Sequence, residues 1–115
     1  MRVRDGLLYN SNMNALKLKI PDHKLIEFCH KYRIKRLAFF GSVLRDDFKP
    51  TSDVDILVEF ETGYNPGLDF FGMPEELKNI FGRNVDLITY KGIQASKNPI
   101  RRKAILDSAQ VYYVS

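Results

Sequence analysis

The clearest alternation of polar and apolar positions in the chain runs from Asp53 to Phe60. Side chains of a strand point alternately to its two faces, so Val54, Ile56, Val58 and Phe60 share one face and Asp53, Asp55 and Leu57 the other. Burying the first set fixes the register, because a slip of one residue would drive both carboxylates into the core. A strand over Lys35–Phe40, apolar and aromatic at its end, precedes this one. Another is predicted over Arg83–Tyr90, and Val111–Val114 reads as a closing strand. Helical spacing appears first at Leu25, Phe28, Cys29 and Tyr32, in a helix that Asp22 caps just after Pro21. Leu68, Phe71, Leu77, Ile80 and Phe81 are also helical in outline, but Gly72 and Pro74 interrupt them. An interior proline costs about 3 kcal/mol. The pattern therefore predicts a short turn to Phe71, then a helix opened by Pro74 and closed by Gly82, with Glu75, Glu76 and Lys78 on its solvated side. A last helix over Pro99–Ser108 turns Ile100, Ala104 and Ile105 inward. Residues 1–20 carry little pattern, since Gly6, Asn10, Ser11, Asn12 and Asn14 break it. They are expected to form a weakly ordered arm or a short edge strand at Ala15–Ile20, leaving residues 21–115 as the domain.

Composition changes this picture little. At 115 residues the chain makes one domain, with 44% hydrophobic and 28% charged residues, both ordinary for a globular protein. A net charge of +4 and a pI near 9.2 suit polyanionic ligands such as nucleotides, without singling them out. The single cysteine, Cys29, excludes an intrachain disulfide and fits a reducing compartment. No stretch approaches the roughly 18 apolar residues of a membrane span, and the amino terminus lacks a signal-peptide core, so a cytoplasmic setting is expected. Lys91, Lys97, Arg101, Arg102 and Lys103 make the end of the chain basic. They read as solvated helix charges or as a surface for an acidic partner or RNA. No basic motif interleaved with aromatics supports direct nucleic-acid readout. His23 and His30 lack metal-ligand spacing, and Cys29 reads as core.

The candidate chemistry lies between the first two predicted strands. Gly41-Ser42 opens the turn after Phe40, and Asp53-x-Asp55 follows after ten intervening residues. A Gly-Ser turn with a helix starting behind it offers backbone N–H groups and a hydroxyl to phosphate oxygens. Two carboxylates on one strand face repel each other unless a cation joins them, and all-oxygen ligation suits Mg²⁺ or Mn²⁺. Together they point to phosphoryl or nucleotidyl transfer. Ser52 is placed to brace the strand entrance and orient Asp53. Asp86 reads either as an edge-strand aspartate facing water or, between Val85 and Leu87 on an inner strand, as an acid that needs a partner, because an unpaired buried charge is costly; the flanking apolar run favours the second.

Gly41-Ser42, the spacing to Asp53-x-Asp55, Arg45, the Ser52-Asp53 pair and Val85-Asp86-Leu87 resemble the DNA polymerase beta-like nucleotidyltransferase superfamily. The chain is similar to its smallest branch, the minimal nucleotidyltransferase domains that serve as antitoxins of HEPN–MNT toxin–antitoxin pairs, from about Leu37 to about Tyr113. The resemblance implies an α/β (α+β) fold with a small, twisted, mixed sheet and helices mainly on one face. It implies Asp53, Asp55 and Asp86 as catalytic carboxylates holding two Mg²⁺ ions, with Asp86 as general base. It gives Gly41, Ser42, Arg45 and Ser52 to the nucleotide, with Arg45 about one turn into the helix after Ser42. The implied donor is ATP, and the implied acceptor is a tyrosine hydroxyl on a partner HEPN ribonuclease, silenced by adenylylation. Two departures stand out. Asp46 follows Arg45 where relatives carry a small residue, which puts a negative charge near the triphosphate unless Asp46 and Asp47 simply face solvent. Gly72 and Pro74 break a helix that is continuous in relatives.

Larger relatives add a helical domain that grips the base or acceptor, for which this length leaves no room. A partner supplying that half of the site, in a hetero-oligomer, is therefore expected. Two alternatives stay open: a non-catalytic antitoxin that masks its partner, and a stand-alone small-molecule nucleotidyltransferase.

Overall fold

The computed structural model describes residues 2–3, 6–8, 18–45, 48–49 and 51–115. Its elements are β1 (Arg2–Val3), β2 (Gly6–Leu8), α1 (Asp22–Lys31), β3 (Ile34–Phe40), β4 (Val54–Phe60), α2 (Met73–Phe81), β5 (Val85–Thr89), α3 (Tyr90–Gln94), α4 (Pro99–Ser108) and β6 (Gln110–Val114). Across the sheet the strands lie in the order β1-β2-β6-β3-β4-β5. Among the described strands only β4 and β5 run parallel, and their crossover carries α2; the other neighbours are antiparallel. The fold is thus the small mixed α/β sheet expected. No helix of the described residues is long and apolar enough to cross a membrane.

The alternation along β4 divides the core as its sequence dictates. Val54, Ile56 and Val58 pack with Leu25, Phe28 and Cys29 of α1 and with Met73 and Leu77 of α2. Leu57 faces the other side, where a smaller cluster joins Ala38, Phe40, Tyr90, Ile93 and Ile105. Asp55 shares the face of Leu57, the one with the lighter helical cover. Cys29 is fully buried, and burial pushes its thiol well above the usual range, so it is core and not nucleophile.

α2 forms as its punctuation predicts: a 3-10 turn over Gly67–Gly72 comes first, Pro74 sits in the first helical turn, and Gly82 closes the helix at φ +73°. Other expectations need correction. Asp22 is the first residue of α1 and not its cap; its Oδ1 accepts a hydrogen bond from the Tyr112 hydroxyl, which ties α1 to β6. Residues 18–20 are not a strand, although Leu18 is buried; 15–17, like the rest of the arm apart from β1 and β2, lie outside the described residues. Glu76 is not simply solvated: it accepts from Lys31 Nζ at 2.9 Å and from the Tyr32 hydroxyl at 2.5 Å, which joins α2 to the end of α1. In α4 only Ile105 of the three expected inward residues is buried; Ile100 is 82% exposed and Ala104 is exposed. Arg102 donates to the Ser96 carbonyl at 2.7 Å, which holds α4 rotated so that Arg102, Ile105 and Leu106 face the protein.

α4 has a capped start, with Asn98 Oδ1 accepting from the Arg101 N–H at 3.1 Å. Asn98→Ala is expected to cost about 1 kcal/mol. A shift in the urea midpoint without a change in slope would show it.

Candidate active site

The site begins where β3 ends. Phe40 pairs with Asp55 across the β3–β4 register, so the connection must leave β3 and come straight back. The first departure from expectation lies in that connection. The segment behind Gly41 is a single 3-10 turn over Gly41–Leu44, not an α-helix. Val43 anchors it in the larger core, and the Arg45 N–H closes it on the Ser42 carbonyl at 3.0 Å. Arg45 therefore ends this turn with extended backbone, φ −111° and ψ 157°, instead of lying one turn into a helix. Asp46 and Asp47 lie outside the described residues.

Gly41 has φ +73°, a conformation that glycine adopts without strain. It also lies directly against the Asp55 side chain: a Cβ added there would overlap the Asp55 carboxylate oxygen and stand 3.1 Å from Cγ. The glycine thus makes room for the carboxylate. Asp55 in turn accepts a hydrogen bond from the Ser42 backbone N–H.

Asp86 stands beside Asp55, its direct partner in the parallel register between β4 and β5. Neighbouring strands lie about 4.8 Å apart and paired residues point to the same face, so the two carboxylates share one surface. Asp53 precedes the first residue of β4 and is exposed; its backbone carbonyl accepts from Ser42 Oγ at 3.3 Å. Burial pushes the Asp55 carboxyl above its ordinary value, and the Asp86 charge and, more weakly, Asp53 push the same way. The Ser42 N–H and the nearby Arg45 charge oppose that rise.

A second correction concerns Asp86. β5 is the edge strand of the sheet, and Asp86 is exposed, so burial does not force a partner on it. Its neighbour Asp55 is the reason to place it in the site.

Like-charged oxygen donors on one face suit a hard divalent cation, Mg²⁺ or Mn²⁺. Among the described residues, no three His, Cys, Asp or Glu side chains are already gathered closely enough to hold a metal ion. Asp53, Asp55 and Asp86 stand side by side, so a cation there would have to draw their side chains together.

Ser52 braces the loop, as expected: its Oγ accepts from the Lys49 N–H at 3.0 Å, and its own N–H donates to the Lys49 carbonyl at 2.9 Å. Sequence reasoning missed Arg83, which read only as the start of a strand. Its guanidinium donates to the carbonyls of Lys49 and Ser52 and stacks over the Phe48 ring. Nothing in the sequence marks it beyond its place directly after the helix-ending Gly82.

Asp55 and Asp86 thus form a carboxylate pair over the Gly41-Ser42 turn, at the end of a β-hairpin. Residues 23–112 match the Nucleotidyltransferase domain family, and the chain belongs to that family of transferases. More particularly, its relatives are small. A Methanocaldococcus jannaschii protein provisionally named a protein adenylyltransferase is 39% identical over 98 residues, 85% of this chain and 95% of that protein. A solved structure provisionally described as a minimal nucleotidyltransferase is 30% identical, with a TM-score of 0.58 over 76% of this chain and 85% of that one. A toxin–antitoxin crystal structure with AMP-PNP shares the fold, with a TM-score of 0.63 at 14% identity over 84% of this chain and 75% of that one.

Proposed function

We propose that this chain is a protein adenylyltransferase of antitoxin type, which moves AMP from ATP to a tyrosine hydroxyl of a partner HEPN ribonuclease and so inactivates it. The observation that carries the proposal is the pairing of Asp55 with Asp86 in register, with Asp55 seated over the Gly41-Ser42 turn. The relative named for protein adenylylation and the nucleotide-bound toxin–antitoxin structure of the same fold support it.

Asp53, Asp55 and Asp86 would hold two Mg²⁺ ions, which supply positive charge to the triphosphate and to the entering and leaving oxygens. The Ser42 hydroxyl and Arg45 would take phosphate oxygens, and Ser52 would keep the loop into Asp53 in place. The acceptor oxygen forms a bond to the α-phosphorus, the bond from that phosphorus to the bridging oxygen breaks, and pyrophosphate leaves. The acceptor proton passes to Asp86. Its exposure on an edge strand suits that role, because a hydroxyl carried by a second protein can approach it from solvent.

The test uses ATP labelled on the α-phosphate, MgCl₂ and the product of the adjacent gene, with an Asp53→Ala/Asp55→Ala protein as control. Label on a tyrosine of the partner, absent with the control, is the expected result. Tight binding of the two proteins without transferred label would instead make the chain a masking antitoxin. Label on small molecules alone would make it a stand-alone transferase.

A further inference from the structure

We infer that Arg83 is a positioning residue for Asp53, an inference that rests on the carboxylate site proposed above. The loop that delivers Asp53 is a turn closed on itself by two hydrogen bonds between Lys49 and Ser52. Asp53 lies outside the β4–β5 ladder, which begins with Val54 opposite Val85. Strand pairing therefore does not fix its side chain; apart from the Ser42 Oγ bond to its carbonyl, its place depends on what holds the residues either side.

Two adjacent residues hold both. Arg83 Nη1 donates to the Lys49 carbonyl at 3.1 Å and to the Ser52 carbonyl at 3.3 Å, the second being the peptide that leads directly into Asp53. Asn84 accepts from the Val54 N–H at 2.9 Å, on the far side of Asp53. Behind the turn the guanidinium lies 4.8 Å from the centre of the Phe48 ring, which fixes its plane.

The chemistry of the contacts favours positioning over ordinary surface pairing. Arg83 is half-buried, and its contacts among the described residues are two carbonyls and a ring, not a carboxylate. Both bonds come from the one Nη1, whose two hydrogens lie in fixed directions in the guanidinium plane that the Phe48 ring holds; an ammonium turns freely on a flexible stem. The same residue opens the segment that leads through Asn84 into β5 and Asp86. Arg83 thus couples the loop bearing Asp53 to the strand bearing Asp86, across the gap that a cation would occupy.

The test compares wild type with Arg83→Met, which keeps the aliphatic stem, and Arg83→Lys, which keeps the charge. Mn²⁺ binding is followed by electron paramagnetic resonance in the presence of a non-hydrolysable ATP analogue, alongside melting temperature and steady-state AMP transfer. Arg83→Met is expected to weaken Mn²⁺ binding and lower kcat, each about tenfold or more, with KM for the acceptor protein unchanged. Arg83→Lys should recover part of both, since it can still donate to one carbonyl. Should Arg83→Met not fold, Arg83→Lys carries the comparison, with a smaller loss of the same kind expected. A variant that melts lower but keeps wild-type Mn²⁺ affinity and kcat overturns the inference and leaves Arg83 as a fold brace. Wild-type protein that binds no Mn²⁺ overturns the carboxylate site itself, and the positioning role with it.

Discussion

Gly41→Ala is expected to remove AMP transfer while leaving the chain folded. Two costs coincide at this residue. The turn needs φ +73°, which costs an alanine about 1–2 kcal/mol. The added methyl also overlaps the Asp55 carboxylate, and the two groups cannot share the space. Relief comes most easily from Asp55, whose charge is already repelled by Asp86, so its side chain turns away and the sheet beneath it survives. Misplacing a reacting group by about 1 Å can cost roughly 10²-fold in rate, and at least that loss is expected here. Gly63→Ala is the matched control. Gly63 has φ +84°, but an added Cβ there meets nothing within 4 Å. It bears the same backbone penalty without the clash, and should melt lower yet transfer label at near wild-type rate. Wild-type transfer by Gly41→Ala, measured with α-labelled ATP, would sink the claim that this glycine exists to admit the carboxylate.

Asp55→Asn is expected to have opposite effects on activity and on stability. Activity should fall by on the order of 10²–10³-fold, the usual loss when a group that acts on transition-state charge is neutralised. Stability without divalent cation should rise by a few degrees at neutral pH. The sign follows from the raised folded-state value of Asp55, caused first by burial and then by the Asp86 charge. Between the ordinary aspartate value of 3.8 and that raised value, the folded state binds more protons than the unfolded, so stability falls as pH climbs through the window. Above that raised value the penalty is fully present in wild type and absent in the asparagine variant. Below the unfolded value it vanishes from both, and the two melting temperatures should converge. Divalent cation should reverse the order, because a ligand bound only to the folded state adds about 2.7 kcal/mol at a hundredfold excess over Kd. Mg²⁺ should therefore raise the melting temperature of wild type and leave Asp55→Asn unmoved. Equal Mg²⁺ shifts in the two proteins would remove Asp55 from the cation site.

How far the sequence disclosed this site depended on which physical rule governed each residue. Period-2 alternation separated Val54, Ile56 and Val58 from Asp55 and Leu57, and the two cores divide along that line. Pro74 and Gly82 bounded α2 because each restricts the backbone locally. What depends on distant partners was hidden. Val85 and Leu87 around Asp86 favoured an inner strand over an edge strand, yet among the described strands β5 has a neighbour on one side only, and no local pattern says which strand ends a sheet. The helix expected behind Ser42 is one 3-10 turn, which no residue there announces. Ile100 looked inward by spacing, but the Arg102 bond to Ser96 sets the rotation of α4 otherwise. Arg83 was invisible for the same reason: its value lies in two carbonyls, and any residue can supply a carbonyl.

The place of β6 has a consequence for the newborn chain. β3 and β4 are hairpin neighbours, so Gly41 and Asp55 can come together as soon as residue 60 is clear of the ribosome. The other edge of β3 stays unpaired until residues 110–114 arrive to fill it. Through all the synthesis between, an apolar strand carrying Leu37, Ala38, Phe39 and Phe40 offers open backbone to any passing strand. Ribosome-bound chains stalled shortly before residue 110 should therefore be the ones that chaperones hold and proteases cut, although their β3–β4 hairpin is already complete.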